Sequence, residues 1–326
     1  MKTTILRLAS VAVFGGAVVN AAPPGNDGNV RPVQRLKVLE RYPDSTDVSG
    51  AVMVAPNRLV VVGDEGGDAS LMEIDWAAGT LGLIDTIPLP KYGATELDAE
   101  AIALVDREVV IAGSHGISRK SEEYQPSRYR AVRFPIGADG TMAGAASVFT
   151  FSEALKASPA TAPFYREKLK ANGVNIEGLA WANNRFYVGM RSPNVGDSLV
   201  ILEVARDGSL CKTWKLPIGP GFGVRAIEPV EDGFLILAGG SSPDSEHALR
   251  PATVFHWDGR GTYIEPIGIL AGVVGKPEAL VSLGMADGCH EVLVFSDGGK
   301  KGGPKKYRLL PRLHRGGGKT GIFSGK

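Results

Sequence analysis

Short apolar runs separated by turns dominate the chain, and one arrangement of them recurs. In "NIEGLAWANNRFYVGMRS", residues 175–192, a polar residue is followed by an apolar strand, a turn at Asn183-Asn184 and a second, more continuously apolar strand. This pattern predicts a β-hairpin. Four other stretches repeat the pattern, and they begin at Asp47, Asp98, Gly223 and Lys276.

A third apolar strand follows every hairpin, and a fourth follows the first four of them. Recurring four-stranded units are typical of β-propeller blades. The fifth unit lacks a fourth strand, whereas "VQRLKVLERYP" at residues 33–43 is a strand without a hairpin partner. We therefore predict an all-β, five-bladed β-propeller of four-stranded blades over residues 33–312, closed by this N-terminal strand. A six-bladed ring with one degenerate blade is the alternative.

Other segments depart from the repeat. Residues 152–173 lengthen the spacing between the second and third units and are predicted to be a helical insertion that ends at Gly173. Residues 1–21 join basic residues to a short apolar run, which is typical of a signal peptide, and 22–32 are predicted to be a linker. The basic, Gly-rich residues 313–326 are predicted to be disordered. We expect a periplasmic or secreted protein with no membrane span.

The net charge and the numbers of histidine and cysteine restrict the kinds of partner and metal that the protein is expected to bind. The net charge of +1 over 326 residues does not favour nucleic-acid binding, and we expect a monomer. The five histidines and two cysteines do not show the spacing of a zinc site, so no metal ligands are predicted from them. Cys211 and Cys289 are either a disulfide, which export would permit, or small buried thiols.

The aligned units predict where a site should lie, because the first strand of each propeller blade lines the central channel. One column of equivalent positions contains Ser49, Glu100, Glu177, Arg225 and Glu278, and the ends of the second strands add Asp64, Arg191 and Asp297. Carboxylates that share a narrow channel must be protonated, paired or bound to a metal. The hypotheses are a structural ion network, a ligand or catalytic site, and a hard cation such as calcium.

In the second unit, the loop "GSHGISRKSEEYQPSRYR" contains many charged and polar side chains within a short stretch. Arg119, Lys120 and Arg128 suit phosphate or carboxylate groups, and His115 suits a general base. A solvated basic loop is the alternative interpretation. "AGSHG" fits a nucleophile elbow only loosely, because no helix is predicted after it.

These columns support three hypotheses of function. The first is a binding propeller that holds a small anionic ligand at its axial face, and its predicted ligand-binding residues are Asp64, Arg119, Lys120, Arg128, Arg191, Arg225 and Asp297. The second is a hydrolase of phosphate or carboxyl esters, with Glu100, His115, Glu177 and Glu278 as candidate catalytic residues. The third is a protein-interaction scaffold that docks partners on the insertion. Whether the protein is an enzyme stays open at this point.

Several motifs also resemble a known family. "EGLA", "SHGISRKS" followed by "PSRYRAVRF", and the terminal "VFSDGG" are similar to a family of secreted bacterial proteins catalogued as domain of unknown function 3616. The resemblance implies a propeller with a fold-level likeness to esterase-like and phytase-like propellers. It implies no activity, because the family has none established.

Overall fold

Antiparallel strand pairs form at every predicted hairpin in the computed structural model, which describes residues 28–43, 45–65, 67–90, 97–241 and 250–310. The predicted signal peptide at residues 1–21, the start of the predicted linker and the predicted tail at 313–326 lie outside the described residues. No helix in the described part of the chain is long and apolar enough to cross a membrane.

The strands form five sheets. The chain begins with three short strands, β1 (Asn29–Val30), β2 (Pro32–Arg35) and β3 (Lys37–Val38). Blade 1 contains β4 (Val48–Ala55), β5 (Arg58–Gly63), β6 (Asp68–Asp75) and β7 (Thr80–Pro88), and blade 2 contains β8 (Ala99–Val105), β9 (Glu108–Gly113), β10 (Ala131–Pro135) and β11 (Ser147–Phe149).

The remaining blades continue this order. Blade 3 contains β12 (Asn175–Ala182), β13 (Arg185–Val195), β14 (Ser198–Val204) and β15 (Leu210–Pro217). Blade 4 contains β16 (Phe222–Val230), β17 (Gly233–Gly240), β18 (Thr253–Trp257) and β19 (Glu265–Leu270), and blade 5 contains β20 (Lys276–Ala286), β21 (Cys289–Asp297) and β22 (Lys305–Leu309).

The inner strands close a ring. β4 contacts β8, and the contacts continue through β12, β16 and β20 back to β4. The five-bladed propeller predicted from the sequence is therefore confirmed. Its second strands are continuously apolar, as in the buried run Phe234–Gly240 of β17, because neighbouring blades cover both of their faces. The hydrophobic core is correspondingly divided into five clusters, and each lies between two adjacent blades.

The N-terminal strands close the ring more extensively than predicted. β2 pairs antiparallel with β22 and supplies the fourth strand of blade 5, which confirms the predicted closure. β1, which lies within the predicted linker, pairs in parallel with β19 of blade 4, and β3 pairs in parallel with β7 of blade 1. Ten consecutive residues, 29–38, therefore join three blades.

The insertion between blades 2 and 3 is helical, as predicted. It contains the short helix α1 (Ser152–Ala157) and two single-turn 3-10 helices, Ala162–Phe164 and Leu169–Ala171. The left-handed residue at its end is Asn172, with φ of 65°, and not the predicted Gly173. Leu155 of α1 is fully buried in the core between the two blades.

The two cysteines are free thiols. Cys211 lies on β15 of blade 3 and Cys289 on β21 of blade 5. Of the two alternatives considered from the sequence, the structure contains no disulfide between them. Cys211 is exposed, so it is not the buried thiol that the other alternative supposed.

Candidate axial site

A β-bulge aims one side chain of every inner strand at the propeller axis. In blade 3, Ile176 pairs with Met190 and Gly178 pairs with Gly189, so Glu177 is skipped by the ladder. The same register shift occurs in all five blades, and the skipped residues are Ser49, Glu100, Glu177, Arg225 and Glu278. A bulge re-aims the extra side chain. This explains how a carboxylate occupies an otherwise apolar strand.

Blades 3 to 5 contribute a closed set of ion pairs, which we call the paired cluster: Glu177, Arg191, Arg225 and Glu278. Arg191 Nη1 donates to Glu177 Oε1 at 2.6 Å. Arg225 Nη1 donates to Glu177 Oε2 at 2.9 Å and to Glu278 Oε1 at 2.7 Å. The backbone oxygens of Ser241 and Gly240 accept further hydrogen bonds from Arg191 Nε and Arg225 Nη2. The Glu177–Arg191 pairing suggested by the sequence is therefore present.

The paired cluster is almost inaccessible. All four of its residues are at most 7% exposed. The cavity on the axis beside Glu177 and Glu278 has a volume of about 10 Å³, which is the space of about one water molecule. Burial and the nearby Glu177 raise the pKa of Glu278 to about 8, although Arg225 opposes this. When both carboxyl groups are ionised, they balance the two guanidiniums in charge, so a structural role accounts for this cluster.

Blades 1 and 2 contribute a different set, which we call the acidic cluster: Asp64, Asp98 and Glu100. Asp64 follows β5, Asp98 precedes β8, and Glu100 is the bulged residue of β8. One carboxylate oxygen from each residue lies within 4.8 Å of the other two. The three side chains therefore converge at the end of the axis where the second strands finish.

The acidic cluster is incompletely paired. Arg128 Nη2 contacts Asp98 Oδ1 at 2.7 Å. Asp98 Oδ2 and Asp64 Oδ1 are buried and have no hydrogen-bond partner. Asp98 is only 6% exposed. Buried polar atoms are normally hydrogen-bonded, so these two oxygens require an explanation.

The pKa values of all three carboxyl groups in the acidic cluster are raised. Burial, followed by repulsion from Asp98 and Asp297, raises the pKa of Asp64 to about 7. Burial, followed by repulsion from Asp98 and Glu177, raises the pKa of Glu100 well above its usual value. The pKa of Asp98 is also raised, because burial outweighs the attraction of Arg128 and a hydrogen bond with Ser114. Ionising the carboxyl groups of the acidic cluster therefore costs more free energy in the folded protein than in water.

His115 lies at the start of the loop between β9 and β10 and is fully buried. Its Nδ1 lies 2.9 Å from the Gly113 oxygen, and its Nε2 accepts a hydrogen bond from Phe151 N–H. Nδ1 therefore carries the proton, and burial lowers the pKa of His115 to about 4. Because both nitrogens are engaged, this geometry does not support the predicted role of His115 as a base, which stays a prediction.

The predicted cationic residues of this loop fall into two groups. Arg128 is fixed by its contact with Asp98, whereas Arg119 and Lys120 are exposed. Arg119 nevertheless interacts electrostatically with Asp98, so its charge lies near the axial opening. Across the opening, Asp297 pairs with Lys276 at 3.0 Å.

Asp98 was missed as a site residue from the sequence. It heads the second repeat unit, where the other units have Asp47, Asn175, Gly223 and Lys276. A column drawn two positions before the bulged residues would have marked it as a polar rim residue. Its left-handed backbone, with φ of 55°, is uncommon for a residue other than glycine.

A groove in the described part of the chain lies away from these residues. It has a volume of about 640 Å³ and is lined by Met53, Trp76 and Lys306, among others. It lies beside the β4–β5 turn, at the opposite end of the inner strands from Asp64 and Asp98. It therefore does not contribute to the axial site.

Several solved propeller-like structures are similar to this chain at low identity. The WD40 β-propeller domain of Doa1 is 13% identical with a TM-score of 0.35, over 82% of this chain and 66% of that domain. The chain thus spans slightly less than two thirds of that structure's length. A protein from Lactobacillus plantarum is 16% identical with a TM-score of 0.37, over 81% and 70% of the two chains.

A putative 6-phosphogluconolactonase from Bacteroides uniformis is 17% identical with a TM-score of 0.36, over 80% of this chain and 71% of that one.

No curated protein matches the sequence. Residues 140–266 match the model of a family described as "Protein of unknown function (DUF3616)". This confirms the resemblance stated from the sequence, and of the motifs that carried it only "EGLA" lies within the matched residues.

Proposed function

We propose that the protein is an exported binding propeller whose axial opening binds a small anionic molecule through Arg119 and Lys120. The observation that carries this proposal is the division of the basic side chains around the axis. Arg128, Arg191 and Arg225 are each held by a carboxylate, whereas Arg119 and its neighbour Lys120 are exposed, and Arg119 acts electrostatically on Asp98 at this opening. Export rests on the predicted signal peptide.

This division changes the expected roles of the predicted ligand-binding residues. Arg191 and Arg225 would have to abandon buried carboxylates before they could bind an anion, and leaving a buried charge unpaired is strongly unfavourable. Exposed Arg and Lys side chains carry no such cost and suit phosphate or carboxylate groups. Asp64 and Asp297 would then accept hydrogen bonds from hydroxyl groups of the ligand.

Thermal unfolding with small anions tests this proposal. Inorganic phosphate, glycerol phosphate and citrate serve as probes for the wild type and for the double variant Arg119→Ala/Lys120→Ala. We expect at least one probe to raise the melting temperature of the wild type, and the double variant to lose most of this shift. Arg260→Ala, which removes an exposed arginine at the opposite rim, is the matched control and should retain the shift. An equal shift in the double variant, or no shift in the wild type, would overturn the proposal.

Ester hydrolysis is the second candidate function. It is favoured by the pKa of Asp64, which burial raises to about 7, because a carboxyl group of this pKa can both donate and accept a proton near neutral pH. Glu177 and Glu278 line a cavity of only about 10 Å³, so a substrate would be confined to the side of Asp64 and Glu100. A panel of phosphate and carboxyl esters tests this candidate, since Glu100→Gln should then slow turnover and Glu177→Gln should act mainly on stability.

The scaffold hypothesis stays a prediction with less support. Ala154 and Leu155 at the start of the insertion, and Phe151 just before it, are buried between blades 2 and 3. They are therefore not available for a partner surface.

A further inference from the structure

We propose that Asp64, Asp98 and Glu100 together bind one hard divalent cation of the calcium class at the axial opening. This inference goes beyond the proposed anion binding and does not depend on it. The sequence suggested calcium for the ring of bulged residues, whereas the structure favours a different set that includes Asp98.

The spacing of the carboxylate oxygens suits such an ion. Calcium binds oxygen at about 2.3–2.6 Å, so two oxygens on one ion are separated by at most about 5 Å. One oxygen each from Asp64, Asp98 and Glu100 lies within 4.8 Å of the other two. A single ion can therefore contact all three residues after small side-chain adjustments, with water completing its coordination.

An independent observation points to a ligand at the same place. Asp98 Oδ2 belongs to a side chain that is more than nine-tenths buried, and it has no hydrogen-bond partner. The Oδ1 atom of Asp64 is also buried and unpartnered, although Asp64 as a whole is half-buried. A cation placed among these oxygens would satisfy both of them, which no described side chain does.

The charge of the acidic cluster also matches the ion. Three carboxylates face one fixed arginine, Arg128, so that two negative charges remain when all three are ionised. In the paired cluster, by contrast, two guanidiniums balance two carboxylates. A divalent cation would therefore neutralise a part of the axis that the described side chains leave negative.

The donor set selects the class of metal. All three ligands are carboxylate oxygens, which suit calcium, magnesium or manganese, whereas zinc and copper prefer imidazole or thiolate ligands. His115 is the histidine nearest in sequence, and its two ring nitrogens are already hydrogen-bonded. Calcium is favoured over magnesium because irregular side-chain positions suit its flexible coordination.

Isothermal titration of the chelator-treated full chain with CaCl₂ tests the site, and MgCl₂ is titrated in parallel. Chloride is the only added anion, so the outcome is independent of the proposed anionic ligand. We expect one calcium ion per chain, weaker binding of magnesium, and an affinity that falls at least about tenfold in Asp98→Asn. Glu153→Gln, which changes an exposed carboxylate on α1, should bind calcium like the wild type.

A second ligand variant and a thermal measurement make the test independent of whether Asp98→Asn folds. Glu100→Gln provides a second ligand variant if Asp98→Asn does not fold, and a cooperative thermal transition establishes folding in each case. Calcium should raise the melting temperature of the wild type and of Glu153→Gln but not that of the ligand variant. Absence of calcium binding by the wild type, or equal affinity in the folded ligand variant, would overturn the proposal.

Discussion

The two sides of the propeller axis use equivalent positions for opposite arrangements. The paired cluster of blades 3 to 5 joins Glu177 and Glu278 to two arginines in a network that is balanced and nearly closed to water. The acidic cluster of blades 1 and 2 places Glu100 beside two aspartates with a single arginine among them. The repeat therefore determines which residue of each inner strand points at the axis. The oppositely charged side chains nearby determine whether that residue is paired or remains able to bind a ligand.

The largest effect is expected from Glu177→Gln, which unbalances the paired cluster while preserving its shape. Arg191 and Arg225 would then have to share Glu278, and removing one member of a buried ion network typically costs about 3–5 kcal/mol. Urea unfolding measures this loss against Glu153→Gln, which should change the unfolding free energy by less than about 0.5 kcal/mol. A loss below about 1 kcal/mol for Glu177→Gln would remove the contrast between the two clusters.

A smaller effect of opposite sign is expected from Glu100→Gln, the same substitution in the acidic cluster. At pH 8 and with chelator present, burial and repulsion from Asp98 and Glu177 make the folded protein either hold an unfavourable charge on Glu100 or take up a proton there, and glutamine avoids both costs. The unfolding free energy should therefore rise, by about 1 kcal/mol, because like charges destabilise the folded state. Urea unfolding in the same buffer gives the comparison, and a decrease would show that Glu100 is stabilised by a partner in the folded protein.

The smallest effect concerns pH. The charged groups that act on Asp64 are Asp98, Asp297, Asp47 and Glu65, and together with burial they raise its pKa to about 7. The folded protein therefore takes up protons on acidification before the unfolded chain does, and stability rises as the pH falls through 7. Without divalent cations, the melting temperature should increase by about 2 °C between pH 8.5 and pH 6.5.

Two features limit and check this pH dependence. Below pH 6.5 the effect of His115 opposes it, because burial lowers the pKa of His115 to about 4 and the unfolded chain then binds the extra proton. Asp64→Asn should reduce the rise without abolishing it, because Glu278, whose pKa is raised to about 8, takes up protons over the same interval. Calorimetry of both proteins in chelator measures the difference. A melting temperature that falls over the same interval would contradict the raised pKa of Asp64.

The architecture was readable from the sequence because hairpin repeats leave a strong local signal. The column that contains Glu177 followed from aligning the units, and its pairing with Arg191 followed from the adjacent strand. The bulges were not predicted, since a residue skipped by the ladder leaves no distinct pattern of apolar positions. β1 and β3 were also missed, because two-residue parallel strands depend on distant partners.

The site was predicted less completely, for a physical reason. An ionisable side chain can bind a ligand only if no other residue buries it or pairs with it. The residues that do so come from other parts of the chain. His115 was expected at an open rim, but Phe151 and Thr150, which lie between β11 and the insertion, engage its ring. Arg191 and Arg225 were expected to bind a ligand, but Glu177 and Glu278 already hold them. These contacts join residues that are far apart in sequence.

The segment at residues 29–38 also has a consequence for the order in which the chain assembles. Its three short strands pair with β19, β22 and β7, so two of its partners come from the last two blades to be synthesised. Contacts of such large sequence separation form late, because the intervening chain must be ordered first. Until then, the outer edges of blades 4 and 5 remain open to pairing with other chains. The first residues of the propeller are therefore the last to reach their places, and truncating them would favour aggregation during folding more than it would disturb the axial site.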